Sequence, residues 1–80
     1  MILTGEQIRA ARALARLEQS DLAAASGVSL DTIKRLERIR GPVSANVSTV
    51  AAITKAFAAA GVDMIPENGG GVGVRLRKPS

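Results

Sequence analysis

Eighty residues without a cysteine or a histidine make one small domain that has no disulfide or thiolate metal site and lacks the commonest general base, transition-metal ligand and pH switch. The net charge of +4 is unevenly carried, with Lys34, Arg35, Arg38 and Arg40 crowded into one segment and Arg75, Arg77 and Lys78 forming a basic tail with no acid after Glu67, which fits a polyanionic partner. No basic segment followed by a long apolar run opens the chain and no run of roughly 18 apolar residues occurs in it, so neither export nor membrane insertion is indicated and a cytoplasmic location is expected.

A first helix is predicted over residues 5–16. Thr4 stands as its N-cap, Gln7 three residues later completes a capping box, and Leu3 can meet Ile8 as a hydrophobic staple. Arg9 and Arg16 are expected to face solvent. A second helix follows over residues 19–26 and a third over 30–38, separated by Gly27, where a left-handed residue ends the first of the two without a side-chain clash. Ser29 then stands as the next N-cap, its hydroxyl able to accept from the amides of Asp31 or Thr32. Leu22, Ala23, Val28, Ile33 and Leu36 are spaced so that one face of each helix meets a common core, and Ala23 is small enough for the backbones to approach closely. With Ile33 and Leu36 committed inward, the third helix presents Leu30, Asp31, Lys34, Arg35 and Arg38 outward.

Residues 41–46 carry the breakers of a loop. A fourth helix is predicted over residues 48–60, with Val50, Ile53 and Phe57 on one face and Gly61 closing it. Phe57, the one aromatic residue, reads as a core anchor, and the helix face around it competes as a dimer surface.

Beyond Gly61 the grammar changes, dividing the chain into a helical unit of residues 1–61 and a C-terminal unit of residues 62–80. Residues 62–65 are apolar-rich, residues 66–71 are dense in turn formers, and residues 72–77 alternate strictly, with Val72, Val74 and Leu76 on one side and Arg75 and Arg77 on the other. This is the pattern of a β-hairpin. Two strands are unstable alone in water, so the hairpin must pack on its own helices, pair with the same hairpin of a second copy, or both; a glycine-rich flexible tail is the alternative. Val72, Val74 and Leu76 are the dimerisation residues expected on this basis.

Two short helices joined steeply by a glycine turn are the arrangement that reads DNA. Residues 7–37 resemble the helix-turn-helix family of phage repressors and Cro proteins in Ile8, Arg9, Arg12, Leu17, Gln19, Leu22, Ala23, Gly27, Val28, Ser29, Ile33, Leu36 and Glu37. Two positions depart from the family. Glu18 replaces the usual Ser or Asn cap, so the start of the second helix is expected to fray or shift by one residue. Ile39 replaces the glycine that ends the recognition helix, which leaves that helix room to run on to Arg40 and stop at Gly41-Pro42.

The resemblance implies a mostly α fold, a lambda-repressor-like four-helix domain, here with the C-terminal hairpin added. It places Ser29, Leu30, Asp31 and Arg35 at base-contacting positions. Arginine commonly reads guanine, aspartate accepts from the cytosine amino group, and leucine meets a thymine methyl. Asp31 has a second explanation, since a carboxylate in the first helical turn is favoured by the helix dipole. Gln19, Thr32, Lys34, Arg38 and Arg40 are assigned to phosphates, which set register without carrying sequence information. Arg12 and Glu37 correspond to a structural ion pair between the first helix and the end of the recognition helix.

The expected function is that of a homodimeric, sequence-specific double-stranded DNA-binding transcriptional regulator acting on an inverted repeat. Repression is favoured because no second domain is seen to sense a ligand or recruit polymerase. The alternative is an antitoxin or another protein-neutralising module that also binds DNA, so a toxin or polymerase remains open as a protein partner. No constellation supports an enzyme, a metal site or a cofactor.

Overall fold

Helices α1 (Gly5–Ala15), α2 (Gln19–Ser26), α3 (Leu30–Glu37) and α4 (Val47–Ala59) precede an antiparallel hairpin of β1 (Val62–Ile65) and β2 (Gly73–Leu76) in the computed structural model, which describes residues 2–77. Lys78, the last cation of the expected basic tail, lies outside the described residues. None of the described helices is long and apolar enough to cross a membrane.

The start of α1 follows its local chemistry. The Thr4 N–H donates to Gln7 Oε1 at 2.9 Å and the Gln7 N–H donates to Thr4 Oγ1 at 3.1 Å, while Leu3 and Ile8 are both buried. Gln7 also acts at long range. Its Nε2 donates to the carbonyls of Ile65 (3.1 Å) and Gly73 (3.0 Å), the paired residues at the turn end of the hairpin, so one amide caps a helix and ties the sheet to it. At its other end α1 stops at Ala15, and Arg16 adopts the left-handed conformation (φ 57°) instead of extending the helix.

The remaining boundaries show which expectations local signals could carry. Helix α2 starts at Gln19 without displacement, because the Glu18 N–H donates to Asp21 Oδ2 at 2.9 Å and so supplies the reverse half of a capping box. Helix α4 starts at Val47, one residue early, because Asn46 is the N-cap and its Oδ1 accepts from the Thr49 N–H at 2.8 Å.

Helix α3 does not run on to Arg40. Its last turn is met end-on by the start of α1: the Gly5 N–H donates to the Gly41 carbonyl (3.2 Å), the Val43 N–H donates to the Leu3 carbonyl (2.8 Å), and Thr4 and Pro42 form a bridge. The exit from α3 is thereby pulled into an extended pairing, with Gly41 at φ +83° making the bend.

One core unites the elements. Leu3, Ile8, Ala11, Leu22, Ile33, Leu36, Ile53, Phe57 and Val62 are buried together, with Ala56 close behind. Phe57 is a core anchor and is wholly inaccessible, as is Ile53 one turn before it, so neither side chain can be touched by a second copy. In the hairpin, Val62 pairs with Leu76 and Met64 with Val74, which puts these four on one face, and Val62, Met64 and Val74 pack against the core. The hairpin thus finds an apolar partner inside its own chain. Leu76, at the far end from the turn, stays 56% exposed, and Val72, just outside β2, 40%.

On the opposite face Asp63 lies across from Arg75, and Arg77 Nε donates to Asp63 Oδ2 at 3.2 Å. The hydrogen-bonded Arg77 guanidinium, with burial opposing it, holds the Asp63 carboxyl below its ordinary value. A carboxyl whose folded pKa is depressed stabilises the fold above its unfolded pKa of about 4, and that contribution is lost as pH falls through the folded value. Asp63→Asn is therefore expected to flatten the acid limb of the melting temperature plotted against pH; an unchanged acid limb would show that the pairing contributes nothing.

Candidate nucleic-acid interface

The reading surface is assembled around the turn between α2 and α3. Gly27 closes α2 at φ +76°, its N–H donating to the Ala23 carbonyl at 2.9 Å. Ser26 stiffens the turn in a way its residue type alone did not announce: its hydroxyl donates to the Leu22 carbonyl (2.7 Å) and accepts from the Val28 N–H (3.1 Å). Leu22, Ile33 and Leu36 are fully buried between the two helices, so the angle between them is set by packed side chains.

With Ile33, Leu36 and Glu37 facing inward, the opposite side of α3 is exposed. Asp31, Lys34, Arg35 and Arg38 stand at i, i+3, i+4 and i+7, one stripe of a helix with 3.6 residues per turn, and all four are exposed. Among the described residues none forms an ion pair or hydrogen bond with the side chains of Lys34 or Arg35, so both cationic heads are available to a ligand.

The other predicted contact residues are placed less uniformly. Leu30 is half-buried, so only part of it reaches the stripe. The Ser29 hydroxyl is committed to its own helix, accepting from the Thr32 N–H at 3.2 Å and donating to Thr32 Oγ1 at 2.8 Å. That pairing leaves the Thr32 hydroxyl its own proton to donate. Gln19, half-buried, opens α2, while Arg40 is exposed on the exit from α3.

A part of the surface that sequence reasoning missed comes from α4. Its polar start, Ser48 and Thr49, lies across a shallow groove of about 320 Å³ from Ser26, Ser29 and Thr32. The hydroxyl-rich start of that helix after Asn46 was the available signal, but its neighbour across the groove is set by tertiary packing. Hydroxyls flanking a cationic stripe suit the oxygens of a phosphate backbone.

The stripe is held from behind by the expected ion pair. Arg12 Nε donates to Glu37 Oε2 at 2.7 Å and Nη2 to Oε1 at 2.9 Å, a bidentate fork, while Nη1 donates to the Leu17 carbonyl at 2.9 Å. One guanidinium therefore joins α1, the connection into α2 and the end of α3. Glu37 is 5% exposed and Arg12 21%, and the hydrogen bonds that Arg12 donates to the Glu37 carboxylate hold the Arg12 proton more tightly than usual, against the opposing effect of burial. Arg9, expected only to face solvent, is exposed and also donates through Nη1 to the Glu37 backbone carbonyl.

This arrangement can present a rigid cationic helix to a polyanionic groove. A family model described as a helix-turn-helix domain matches residues 4–65, from the N-cap of α1 to the last residue of β1. A search of curated proteins gives no match. The chain belongs to the helix-turn-helix domain family.

Proposed function

We propose that this protein is a transcriptional regulator of the phage repressor and Cro type that binds an inverted-repeat operator in double-stranded DNA as a homodimer. The observation that carries the reading is the exposed stripe of Asp31, Lys34, Arg35 and Arg38 on a helix whose other side is locked by Ile33, Leu36 and the Arg12–Glu37 fork. Rigid mounting makes side-chain position informative to a base edge. Arg35 reads guanine, Asp31 accepts from a cytosine amino group, and Leu30 and Ser29 flank them. Lys34, Arg38, Arg40, Thr32 and Gln19 contact phosphates and set the register.

A helix-turn-helix dimer reads half-sites about 34 Å apart on one face of the duplex, and occupancy of such a site within a promoter excludes polymerase by itself. Repression therefore asks for nothing beyond the DNA-binding face.

Selection of bound duplexes from a random pool tests the reading, and an enriched inverted repeat is the expected result. On that site Arg35→Ala should cost about 1–3 kcal/mol while hardly changing affinity for random DNA, whereas Lys34→Ala should weaken both and reduce the steepness of the salt dependence by about one unit. A pool that yields no common sequence would defeat the proposal, and equal losses for Arg35→Ala on both DNAs would move Arg35 to the phosphate class.

A further inference from the structure

The two flanks of α4 differ in chemistry. Ser48, Thr49 and Ala52 border the polar groove beside α3. On the other flank, Val47, Val50, Ala51 and Ala58 line an apolar groove of about 590 Å³, closed by Pro42 and by Ile2 from the start of the chain. Past Ile2 and Pro42, which both hollows share, the surface continues into a second one of about 410 Å³ that ends at Pro66, Glu67 and Val72.

Three of the five large apolar side chains left exposed among the described residues stand on this one band: Val47 (86%), Ile2 (67%) and Val72 (40%). An apolar strip continuous over both hollows marks an interaction surface. Its charges decide the occupant. Among the described residues, Lys55 is the one charged residue lining the first hollow and Glu67 the one lining the second, so the band carries a cation in one hollow and an anion in the other, with Ile2 and Pro42 shared between them.

We propose that a second copy of this chain docks on this band, related by a two-fold axis that passes near Ile2 and Pro42, with Lys55 of each copy facing Glu67 of the other. In an isologous contact the surface meets itself reversed, so a strip with a cation in one half and an anion in the other pairs each charge with its complement. The protruding Val47 beside an open apolar groove supplies knob and hole on the same surface. Glu67 is prepared for the pairing. The Gly69 and Gly71 N–H groups donate to its Oε2 at 2.7 and 2.9 Å, which holds the carboxyl below its ordinary value, and Oε1 takes no part in those bonds.

This interface deepens the homodimer named above and rests on that reading only for its use on DNA. It includes Val72 of the three hairpin residues expected from sequence; Val74 faces its own core, and Leu76 lies at the opposite end of β2 from the turn. The polar flank of α4 and the α3 stripe stay uncovered.

Sedimentation of the protein without DNA over 1–100 micromolar tests the proposal. The parent should be a dimer in that range, and Val47→Asp, at a position too exposed to threaten folding, should weaken dimerisation at least tenfold with unchanged far-ultraviolet circular dichroism. Lys55→Glu should weaken it several-fold by placing two carboxylates together, and adding Glu67→Lys should restore it. A monomeric parent, a Val47→Asp variant that stays dimeric, or a double variant no better than Lys55→Glu would each overturn the assignment; the second of these combined with loss of the dimer in Leu76→Asp would place the contact on the hairpin edge. Binding of Val47→Asp to a single half-site duplex is a separate readout: retained, Arg35-dependent binding upholds the regulator reading whatever the oligomeric state, and its absence counts against that reading alone.

Discussion

Replacing Glu37 with alanine is expected to lower the melting temperature by roughly 10–20 °C, the equivalent of about 2–3 kcal/mol in a domain of this size. Breaking a buried ion pair costs about 3–5 kcal/mol because the surviving charge is stranded. Here the survivor is Arg12, which is 21% exposed and keeps its bond to the Leu17 carbonyl, so water and that carbonyl soften the loss. The opposite truncation is harsher: Arg12→Ala strands a carboxylate that is only 5% exposed and releases the connection between α1 and α2, and should reach the full range. Glu37→Gln keeps one hydrogen bond and shape, and should fall between parent and alanine. Because α3 ends at Glu37, both truncations should also weaken specific DNA binding at temperatures where the variants remain folded. Thermal unfolding followed by circular dichroism orders the series. If Glu37→Ala melted with the parent, the fork would contribute nothing to the fold, and the mounting of α3 would have to be ascribed to Ile33 and Leu36.

What could be read in advance tracks how local each cause is. The capping box of Thr4 and Gln7, the left-handed Gly27 and the Ser29 cap are each decided within four residues, and each forms as the residue order implies. The outward stripe of α3 was legible for the same reason, since burying Ile33 and Leu36 dictates what the other side presents. The Arg12–Glu37 fork joins residues 25 apart and was reached through family resemblance. The rest depends on contacts between distant segments. Nothing near Gln7 signals that its amide also holds Ile65 and Gly73, 58 and 66 residues away. The alternation of Val72, Val74 and Leu76 marks an apolar face correctly but does not say whose core covers it; the answer, their own chain's at Val74, comes from where α1 and α4 lie. Likewise the groove-lining role of Ser48 and Thr49 arises from the packing of α4 beside the turn.

The end of α3 shows the same dependence, and its agent is a residue that carries no side chain. Gly5 is the first residue of α1, where any residue is conformationally acceptable, and ordinary propensity favours Gly→Ala in a helix by up to about 1 kcal/mol. The structure reverses that sign. A β-carbon at Gly5 would lie 2.0 Å from the Ile39 carbonyl oxygen and 2.7 Å from that of Leu36, both backbone atoms that no rotamer change can move aside. Accommodating the methyl requires prising the start of α1 from the exit of α3, which breaks the Gly5 N–H bond to Gly41 and strains the pairing of Val43 with Leu3. Overpacking of a tight contact costs about 1–3 kcal/mol, occasionally more, and with rigid backbone on the receiving side the upper end is expected, roughly 10–20 °C in melting temperature. The displaced segment carries Arg38 and Arg40, so Gly5→Ala should also weaken DNA binding at both specific and random sites while leaving the guanine preference of Arg35 in place. Gly70→Ala is the control, since a β-carbon there meets nothing closer than 3.5 Å and should leave melting unchanged. A Gly5→Ala protein that melted at or above the parent temperature would mean that helix propensity governs this position and that α1 does not close on α3 at the distance described.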